Sequence, residues 1–285
     1  MKGKVSVILN CYKRPDTLNQ QIAALEAQSV APHEILIWQN KGNLEDFQPI
    51  QPVLHNHASA VSNFNWGVWS RFAYALNSTG DYICLFDDDT IPGENWLENC
   101  LVNHSRQRGV YGTIGVVFHD LDYRNYKRYG WAEPNEHAQE VDIVGHSWFF
   151  DREVLGKFWS EAPVPQHELS GEDVHLSYSA QKLGLNTYVP PHPRDDLSLW
   201  GSQPNEAMQY GIDDVAISCN YHGSHFGANL KHYHKKGMCF QKIARHPDFV
   251  SDEEKAKQAD HNRIAPGFHL GAKPELIKAW KDVPA

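Results

Sequence analysis

Three adjacent carboxylates, Asp87, Asp88 and Asp89, follow a short apolar run in the stretch YICLFDDDTIPG, residues 82–93. Like charges this close repel one another, so such a triplet at the end of a buried strand must be protonated, hydrogen-bonded or neutralised by a cation. Carboxylate oxygens suit Mg²⁺ and Mn²⁺, which commonly bind one or two carboxylates together with substrate phosphates. The aspartate triplet therefore predicts a site for a metal ion and a diphosphate.

Alternation along an extended chain divides the aspartate triplet. Asp87 and Asp89 point to one side and Asp88 to the other, so Asp87 and Asp89 are neighbours in function. A solvated acidic turn, helped by Pro92 and Gly93, is the alternative interpretation of such a triplet. The apolar strand in front of it favours the metal site.

The segments before the triplet predict the sheet that positions it. Residues 4–10 and 34–38 are short apolar strands, and 17–28 between them has apolar residues at helical spacing. Strand, helix and strand within about 40 residues form a βαβ unit, which implies a parallel sheet. A predicted helix over 63–77 then leads to the strand at 82–86, and ligands of such sheets bind beyond the carboxyl ends of the strands.

Polar residues follow each of these strands, at 10–14, 39–43 and 87–89, and should meet in one crevice. Asn10 and Arg14 of the first group are therefore predicted to bind the ligand. Further elements are predicted as a helix over 94–107, strands over 111–118 and 141–150, a helix over 170–183 and a strand over 186–189.

Composition limits the classes of function. The 285 residues, 41% of them hydrophobic, supply one sizeable core. The formal charge of -9 argues against binding to nucleic acid or an anionic membrane. Five cysteines without CxxC spacing are typical of reduced core residues, and no run approaches the roughly 18 apolar residues of a membrane span. We expect a soluble, cytoplasmic protein with no integral membrane segment.

The strand ending in DDDT, with the opening stretch SVILNCYKRPDTL, resembles the GT-A nucleotide-sugar glycosyltransferases, including the family 2 enzymes. ILIWQN at 35–40 and SRFAYALNSTGDYICLFDDDT at 70–90 are similar to the exostosin-like group. The resemblance implies an α/β, Rossmann-like GT-A fold with a mainly parallel sheet flanked by helices. It also implies sugar transfer from a nucleotide-sugar, with a UDP-sugar as first choice, to a carbohydrate or other hydroxyl acceptor, with Mn²⁺ or Mg²⁺, in polysaccharide or glycan synthesis.

The resemblance divides the chain into two regions. Residues 1–195 would form the nucleotide-sugar-binding and catalytic core. Residues 196–285 are loop-rich and would supply an acceptor or lid region, with NYHGSHFGANLKHYHKK at 220–236 closing on the donor, and a helical tail packed on the same domain.

The resemblance also implies individual roles on the donor side. Asn40 would hydrogen-bond the nucleotide base, and Arg71 would face the diphosphate. Asp87 and Asp88 would lie near the ribose and the sugar, while Asp89 would bind the metal directly. An ordinary turn residue is the alternative for Asn40, and a solvated helix charge is the alternative for Arg71.

GEDVHLS, residues 171–177, is similar to an acidic motif that many GT-A enzymes carry at the start of a helix under the acceptor site. A carboxylate there is stabilised by the helix dipole, so a capped helix is the plain interpretation. In the functional interpretation Asp173, with Glu172 as second choice, takes a proton from the acceptor hydroxyl. A base opposite the leaving group inverts the anomeric configuration, whereas the exostosin-like resemblance implies retention.

Histidines and aromatic residues complete the predicted site. In several GT-A branches a histidine beyond this helix binds the metal, which makes His192 the first candidate, followed by His222 and His225. VGHSWFF at 144–150 resembles the strand before the acceptor pocket. Aromatic rings suit sugar faces, so the predicted acceptor or sugar contacts are His146, Trp148 and Trp200.

Two other classes of function stay open. Haloacid-dehalogenase-type phosphatases also place D-x-D after an apolar strand, but usually the first strand, and with Thr or Val where this chain has Ile91. A non-catalytic nucleotide- or glycan-binding domain would keep the fold and tolerate the loss of Asp173.

Overall fold

The computed structural model describes residues 3–12, 14–40, 56–131, 133–162, 170–204 and 224–251. Contacts divide the chain into two units, residues 1–245 and residues 246–285. In the described part of the second unit, the backbone N–H of Phe249 donates to the carbonyl oxygen of His246.

Nine strands, counted over the described residues, form one sheet in the first unit. Their order is β3-β2-β1-β4-β8-β5-β9-β7, and β6 also pairs with β5. The strands are β1 (Val5–Cys11), β2 (Glu34–Asn40), β3 (His57–Ser62), β4 (Tyr82–Phe86), β5 (Gly109–Phe118), β6 (Tyr126–Gly130), β7 (Gln139–Val141), β8 (Ile143–Asp151) and β9 (Asn186–Val189).

The N-terminal half of the sheet is parallel. β1 pairs in parallel with β2 and with β4, and β2 pairs in parallel with β3. Leu9 lies opposite Phe86, so β1 and β4 end side by side and the triplet after β4 lies next to the end of β1. Beyond β4 the sheet is mixed, because β8 runs antiparallel between β4 and β5. The predicted α/β fold is confirmed, with parallel pairing among β1, β2, β3 and β4 and again between β5 and β9.

Six α-helices lie within the described residues. They are α1 (Pro15–Glu26), α2 (Ser70–Tyr74), α3 (Trp96–Arg106), α4 (Arg152–Ser160), α5 (Glu172–Gln181) and α6 (Ser224–Lys235). The helix predicted over 63–77 is wrong in its first part, because helical structure begins only at Gly67. Gly67 has a φ of +66°, and its N–H donates to the side chain of Asn65, which forms a turn instead.

Alternating strand residues face two apolar clusters, one on each side of the sheet. Val7 and Leu9 of β1 belong to the cluster completed by Leu18 of α1 and Leu97 of α3. Ile8 belongs to the other cluster, which includes α2, α4 and α5 through Phe72, Phe158 and Leu176. Burying a side chain of this size contributes about 1.5–3 kcal/mol, so helices on both faces hold the sheet and its strand ends in place.

A buried histidine ties α5 to two other helices. His175 has no solvent exposure, its Nε2–H donates to the carbonyl oxygen of Phe158, and its Nδ1 accepts from the hydroxyl of Tyr233. Burial lowers the pKa of His175 to about 4. His192 is also fully buried, and burial lowers its pKa to about 3. Both imidazoles are neutral in the folded protein.

We expect the contribution of His175 and His192 to the free energy of unfolding to fall as the pH drops below about 6.5, because the unfolded chain then binds protons on these histidines, which stay neutral when folded. This stability is fully present above that pH and is lost as the pH falls toward the folded pKa values of His175 and His192. Each histidine removes about 1.4 kcal/mol per pH unit, or about 2 kcal/mol by pH 5.

Urea unfolding at a series of pH values measures this slope. The control His119→Gln, at an exposed position, should leave the slope unchanged, whereas the slope of His175→Gln should differ from that of the parent by about 1.4 kcal/mol per pH unit between pH 6.5 and 5, in the direction of a smaller loss at low pH. A His175→Gln variant with the slope of the parent protein would contradict the account.

Candidate active site

The aspartate triplet lines a cavity of about 460 Å³ at the carboxyl ends of β1, β2 and β4. This is the edge where open α/β sheets bind ligands. The structure brings together there the predicted donor-side residues and the predicted acidic helix start. The predicted site residues that line the cavity are Asn10, Arg14, Asn40, Arg71, Asp87, Asp88, Asp89, His146, Glu172 and Asp173.

Two buried side chains of α1 hold the backbone of the triplet. The hydroxyl of Thr17 donates to the carbonyl oxygen of Asp88 at 2.6 Å. The side-chain amide of Gln21 donates to the carbonyl oxygens of Asp87 at 2.6 Å and Thr90 at 2.8 Å. The sequence analysis missed both residues, although polar side chains four residues apart on the buried side of a helix were a usable signal.

Gln21→Leu is expected to destabilise the protein by about 1–3 kcal/mol, because it leaves the buried carbonyl oxygen of Thr90 without its donor, whereas that of Asp87 keeps the backbone N–H of Thr90 at 3.3 Å. The affinity of the predicted metal site for Mn²⁺ should fall as well, because the backbone of the triplet loses its support. The matched control Gln20→Leu changes an exposed neighbour and should alter stability by about 0.5 kcal/mol or less. Urea unfolding and Mn²⁺ titration check this, and equal effects of the two substitutions would count against it.

Two arginines pair with four of the five carboxylates that line the cavity. Arg14 lies 2.8 Å from Asp88 and 3.8 Å from Asp89, measured between Nη1 and the carboxylate oxygens. Arg71 pairs through Nη1 with Asp87 and through Nη2 with Glu172. Burial opposes the charge of Arg71, but the neighbouring carboxylates, Asp87 first, raise its pKa.

Arg71 is held between elements that are distant in sequence. Its side chain is on α2, it reaches Asp87 after β4 and Glu172 on α5, and it is only 4% exposed. The guanidinium carbon also lies 4.5 Å from the ring centroid of Trp148 on β8. The interpretation of Arg71 as a solvated helix charge is therefore wrong.

Asp87, Asp89 and His146 form a group that could hold a metal ion, since their ligand atoms all lie within 4.8 Å of one another. His146 adopts a φ of +63°, and its carbonyl oxygen accepts the backbone N–H of Asp87 and the hydroxyl of Thr90. Burial raises the pKa of Asp89, while the nearby imidazole of His146 opposes this. Two carboxylates and one imidazole fit a divalent cation such as Mn²⁺.

The prediction of His192 as a metal ligand is wrong. Its Nε2 accepts the backbone N–H of Trp131 at 2.9 Å, and its ring stacks on Trp200 with centroids 4.0 Å apart. Trp131 has a φ of +54°, and its ring stacks on His146. His192 therefore supports the site through Trp131. The further candidate His222 and the side chain of His225 lie outside the described residues.

The predictions of Trp148 and Trp200 as sugar contacts are also wrong, because both rings are buried, at 1% and 4% exposure. The indole N–H of Trp148 donates to the carbonyl oxygen of Val144, and that of Trp200 donates to Pro193. Trp148 covers Arg71, and Trp200 covers His192. The aromatic residues that do line the cavity, besides His146, are Tyr12, Tyr123, Tyr126, Trp131 and Phe226.

The two carboxylates that begin α5 differ in their surroundings. Glu172 is 7% exposed, and burial raises its pKa to about 7 although Arg71 opposes the shift. Asp173 is half-buried on the cavity wall, and burial, followed by the charge of Glu172, raises its pKa well above the ordinary value. In the described part of the chain, Oδ1 of Asp173 has no hydrogen-bond partner.

A comparison with protein families identifies the class of this domain. Residues 6–159, more than half of the chain, match the family model described as glycosyl transferase family 2. The chain therefore belongs to glycosyl transferase family 2, and the predicted GT-A-type fold is confirmed. The matched segment includes the aspartate triplet and ends in α4.

Two relatives show how far the similarity extends. The chain is 27% identical over 169 residues to a glucosyl-dolichyl phosphate glucuronosyltransferase of Haloferax volcanii, with 53% of this chain and 54% of the relative aligned. It is 30% identical over 130 residues to Protein CgeD of Bacillus subtilis, with 41% of this chain and 30% of the relative aligned. The chain thus spans about half of one relative and less than a third of the other.

Among the helices of the described residues, none combines the length and the apolar character needed to span a bilayer.

Proposed function

We propose that the protein is a metal-dependent glycosyltransferase that moves a sugar from a nucleotide-sugar, with a UDP-sugar as first choice, to a hydroxyl group of a carbohydrate or similar acceptor. The observation that carries this proposal is the grouping of Asp87, Asp89 and His146 beside Arg71 in one cavity at the strand ends. Membership of glycosyl transferase family 2 supports the reaction type. It also removes the basis for the phosphatase alternative.

On the donor side, Asn10 and Asn40 would bind the nucleotide, because they lie at the carboxyl ends of β1 and β2 and line the cavity. The side-chain oxygen of Asn40 accepts the indole N–H of Trp38 at 3.1 Å, which leaves the amide group to donate to a base. Arg14 and Arg71 would face the phosphates. Asp88 would lie near the sugar while keeping its ion pair with Arg14.

Asp89, together with Asp87 and His146, would hold Mn²⁺ or Mg²⁺. The imidazole favours Mn²⁺, since Mg²⁺ prefers an all-oxygen shell. A bound divalent ion supplies positive charge that stabilises the leaving diphosphate.

On the acceptor side, Asp173 is the residue that we propose as base. It lines the cavity, and in its ionised form it would accept the proton of an acceptor hydroxyl. Burial raises the pKa of Asp173 while Arg71 opposes the shift, so transfer would require a pH high enough to ionise this carboxyl group. Glu172 would instead position Arg71, to which it is bound at 2.9 Å. A base in this role implies inversion of the anomeric carbon, which the anomeric NMR signal of the product would report.

A donor screen tests the proposal. The protein is incubated with Mn²⁺, UDP-, GDP- and dTDP-sugars and a panel of sugar acceptors, and release of nucleoside diphosphate is measured. We expect release of nucleoside diphosphate from one class of donor, with the UDP-sugars as first choice. Asp173→Asn should lose transfer, whereas the exposed control Asp195→Asn should keep the transfer rate of the parent. Binding without turnover would favour a non-catalytic domain, and hydrolysis of a generic phosphoester would contradict the proposal.

A further inference from the structure

The hairpin of β5 and β6 supplies a part of the cavity wall that the sequence analysis did not anticipate. Tyr123, Tyr126 and Arg128 line the cavity, as does Trp131 directly after β6. Tyr123 stacks on Phe226 of α6 with ring centroids 4.6 Å apart and an interplanar angle of 22°. This wall is therefore aromatic, and Phe226 of α6 extends it.

Arg128 differs from the other two arginines of the cavity. Arg14 and Arg71 are each paired with carboxylates. Arg128 lies within ion-pair distance of no carboxylate among the described residues; its contacts are with the hydroxyl of Tyr126 at 2.8 Å and with two aromatic rings. Its positive charge is therefore available to a ligand.

The guanidinium of Arg128 is held in place by its neighbours. Its carbon lies 5.6 Å from the ring centroid of Tyr126 and 5.9 Å from that of Trp131. Trp131 in turn stacks on His146 with centroids 5.7 Å apart. Two ring contacts thus connect Arg128 to His146 of the proposed metal group. The distance between Arg128 and that group is on the scale of one or two sugar residues.

The position of Arg128 in the sheet places it away from the donor side. Val116 of β5 lies opposite Arg128 of β6, and both β5 and β8 lie between β6 and the triplet-bearing β4. The backbones of β6 and β4 are therefore three strand spacings apart, which amounts to about 14 Å. Asn10 and Asn40 lie still further along the sheet, on β1 and β2, so Arg128 is on the acceptor side of the triplet.

We propose that Arg128 binds an anionic group of the acceptor, a carboxylate or a phosphate, and that the acceptor is an acidic or phosphorylated sugar. This inference rests on the proposed function, whose acceptor it specifies. The planar guanidinium presents paired donors that match either anion, and the rings beside it suit a sugar face. The alternative is that Arg128 binds an anionic group of the donor, such as a phosphate of the nucleotide.

The test measures sugar binding directly and does not need turnover. Saturation-transfer NMR compares glucuronate and glucose 6-phosphate with glucose, with and without Mg²⁺ and UDP, while calorimetry follows UDP separately. We expect both acidic sugars to bind about tenfold or more tightly than glucose. Arg128→Gln should abolish this preference and Arg128→Lys should keep part of it. Arg124→Gln, an exposed arginine of the same hairpin, should keep all of it.

The affinity for UDP should change by less than about twofold in all these variants. Equal binding of acidic and neutral sugars by the parent protein, or a preference that persists in Arg128→Gln, would overturn the inference. A loss of UDP affinity in Arg128→Gln as large as the loss for acidic sugars would assign Arg128 to the donor and overturn it too. Absence of UDP binding in the parent would instead count against the proposed function, and the sugar comparison would still be readable.

Discussion

Arg71→Met is expected to lower the free energy of unfolding by about 3–5 kcal/mol, because it leaves the buried carboxylate of Glu172 and the half-buried carboxylate of Asp87 without their cation. Arg71 is 4% exposed and pairs with Asp87 and Glu172. Methionine keeps an apolar contact with the ring of Trp148, so the loss reports mainly on charge. Urea unfolding of parent and variant at neutral pH measures it.

Arg108 provides a matched control for this substitution. It also bridges two carboxylates, those of Asp151 and Glu153, but its side chain is 44% exposed. Solvent screens such pairs, so Arg108→Met should lose only about 1 kcal/mol or less. The double variant Arg71→Met with Glu172→Gln should have a higher free energy of unfolding than Arg71→Met alone, because it removes one buried carboxylate. Equal losses for Arg71→Met and Arg108→Met would show that the buried pairs have no special importance.

Asp89→Asn is expected to reduce the proposed metal-dependent sugar transfer by about 10³-fold, equivalent to about 4 kcal/mol of transition-state stabilisation. Asp89 belongs to the group with Asp87 and His146, and an amide is a poorer ligand for a divalent cation. The measurement is the rate of transfer at increasing Mn²⁺ concentration with the donor that the screen identifies.

Asp88→Asn is the control within the triplet, because Asp88 pairs with Arg14 and lies outside the metal group. We expect it to retain the Mn²⁺ affinity of the parent within about threefold, even if turnover falls. If Asp88→Asn lost as much Mn²⁺ affinity as Asp89→Asn, the division of the triplet into two metal-facing carboxylates and one arginine-bound carboxylate would be wrong.

Strong hydrophobic patterns made the first half of the fold predictable. The strand, helix and strand from β1 to β2 lie within one or two residues of their predicted bounds, and the triplet follows β4 as expected. The edge strand β3 was not predicted, because its residues are half-buried or exposed and lack a clear apolar run. Pairing with β2, which the local sequence does not specify, makes this segment a strand.

The orientation of side chains in β8 could not be read from alternation. Regular alternation would place His146 and Trp148 on the same face, but His146 has a φ of +63° and the pairing of β5 with β8 shifts register between Gly112 and Ile114. His146 therefore lines the cavity, while Trp148 is buried beside Arg71. A local departure from regular backbone geometry thus decided which of the two could meet a ligand.

The role of His192 depends on a contact that spacing cannot predict. Its partner, the N–H of Trp131, is 61 residues away in sequence. The resemblance implied a histidine in the metal site, and the group of side chains that could hold an ion includes His146 of β8 and not His192. The sequence likewise did not predict that Arg128 lines the cavity, because this placement depends on the pairing of β6 with β5.

Calorimetric titration of UDP, GDP and dTDP into the parent protein, with Mn²⁺ and then with a chelator, tests the central claim most directly. The account predicts that one nucleotide, UDP first, binds with Mn²⁺ and loses about tenfold or more in affinity without it. Asp89→Asn should show the weaker affinity under both conditions. Equal affinity with and without metal, or no binding of any of the three nucleotides, would contradict the proposal of a metal–diphosphate site at the aspartate triplet.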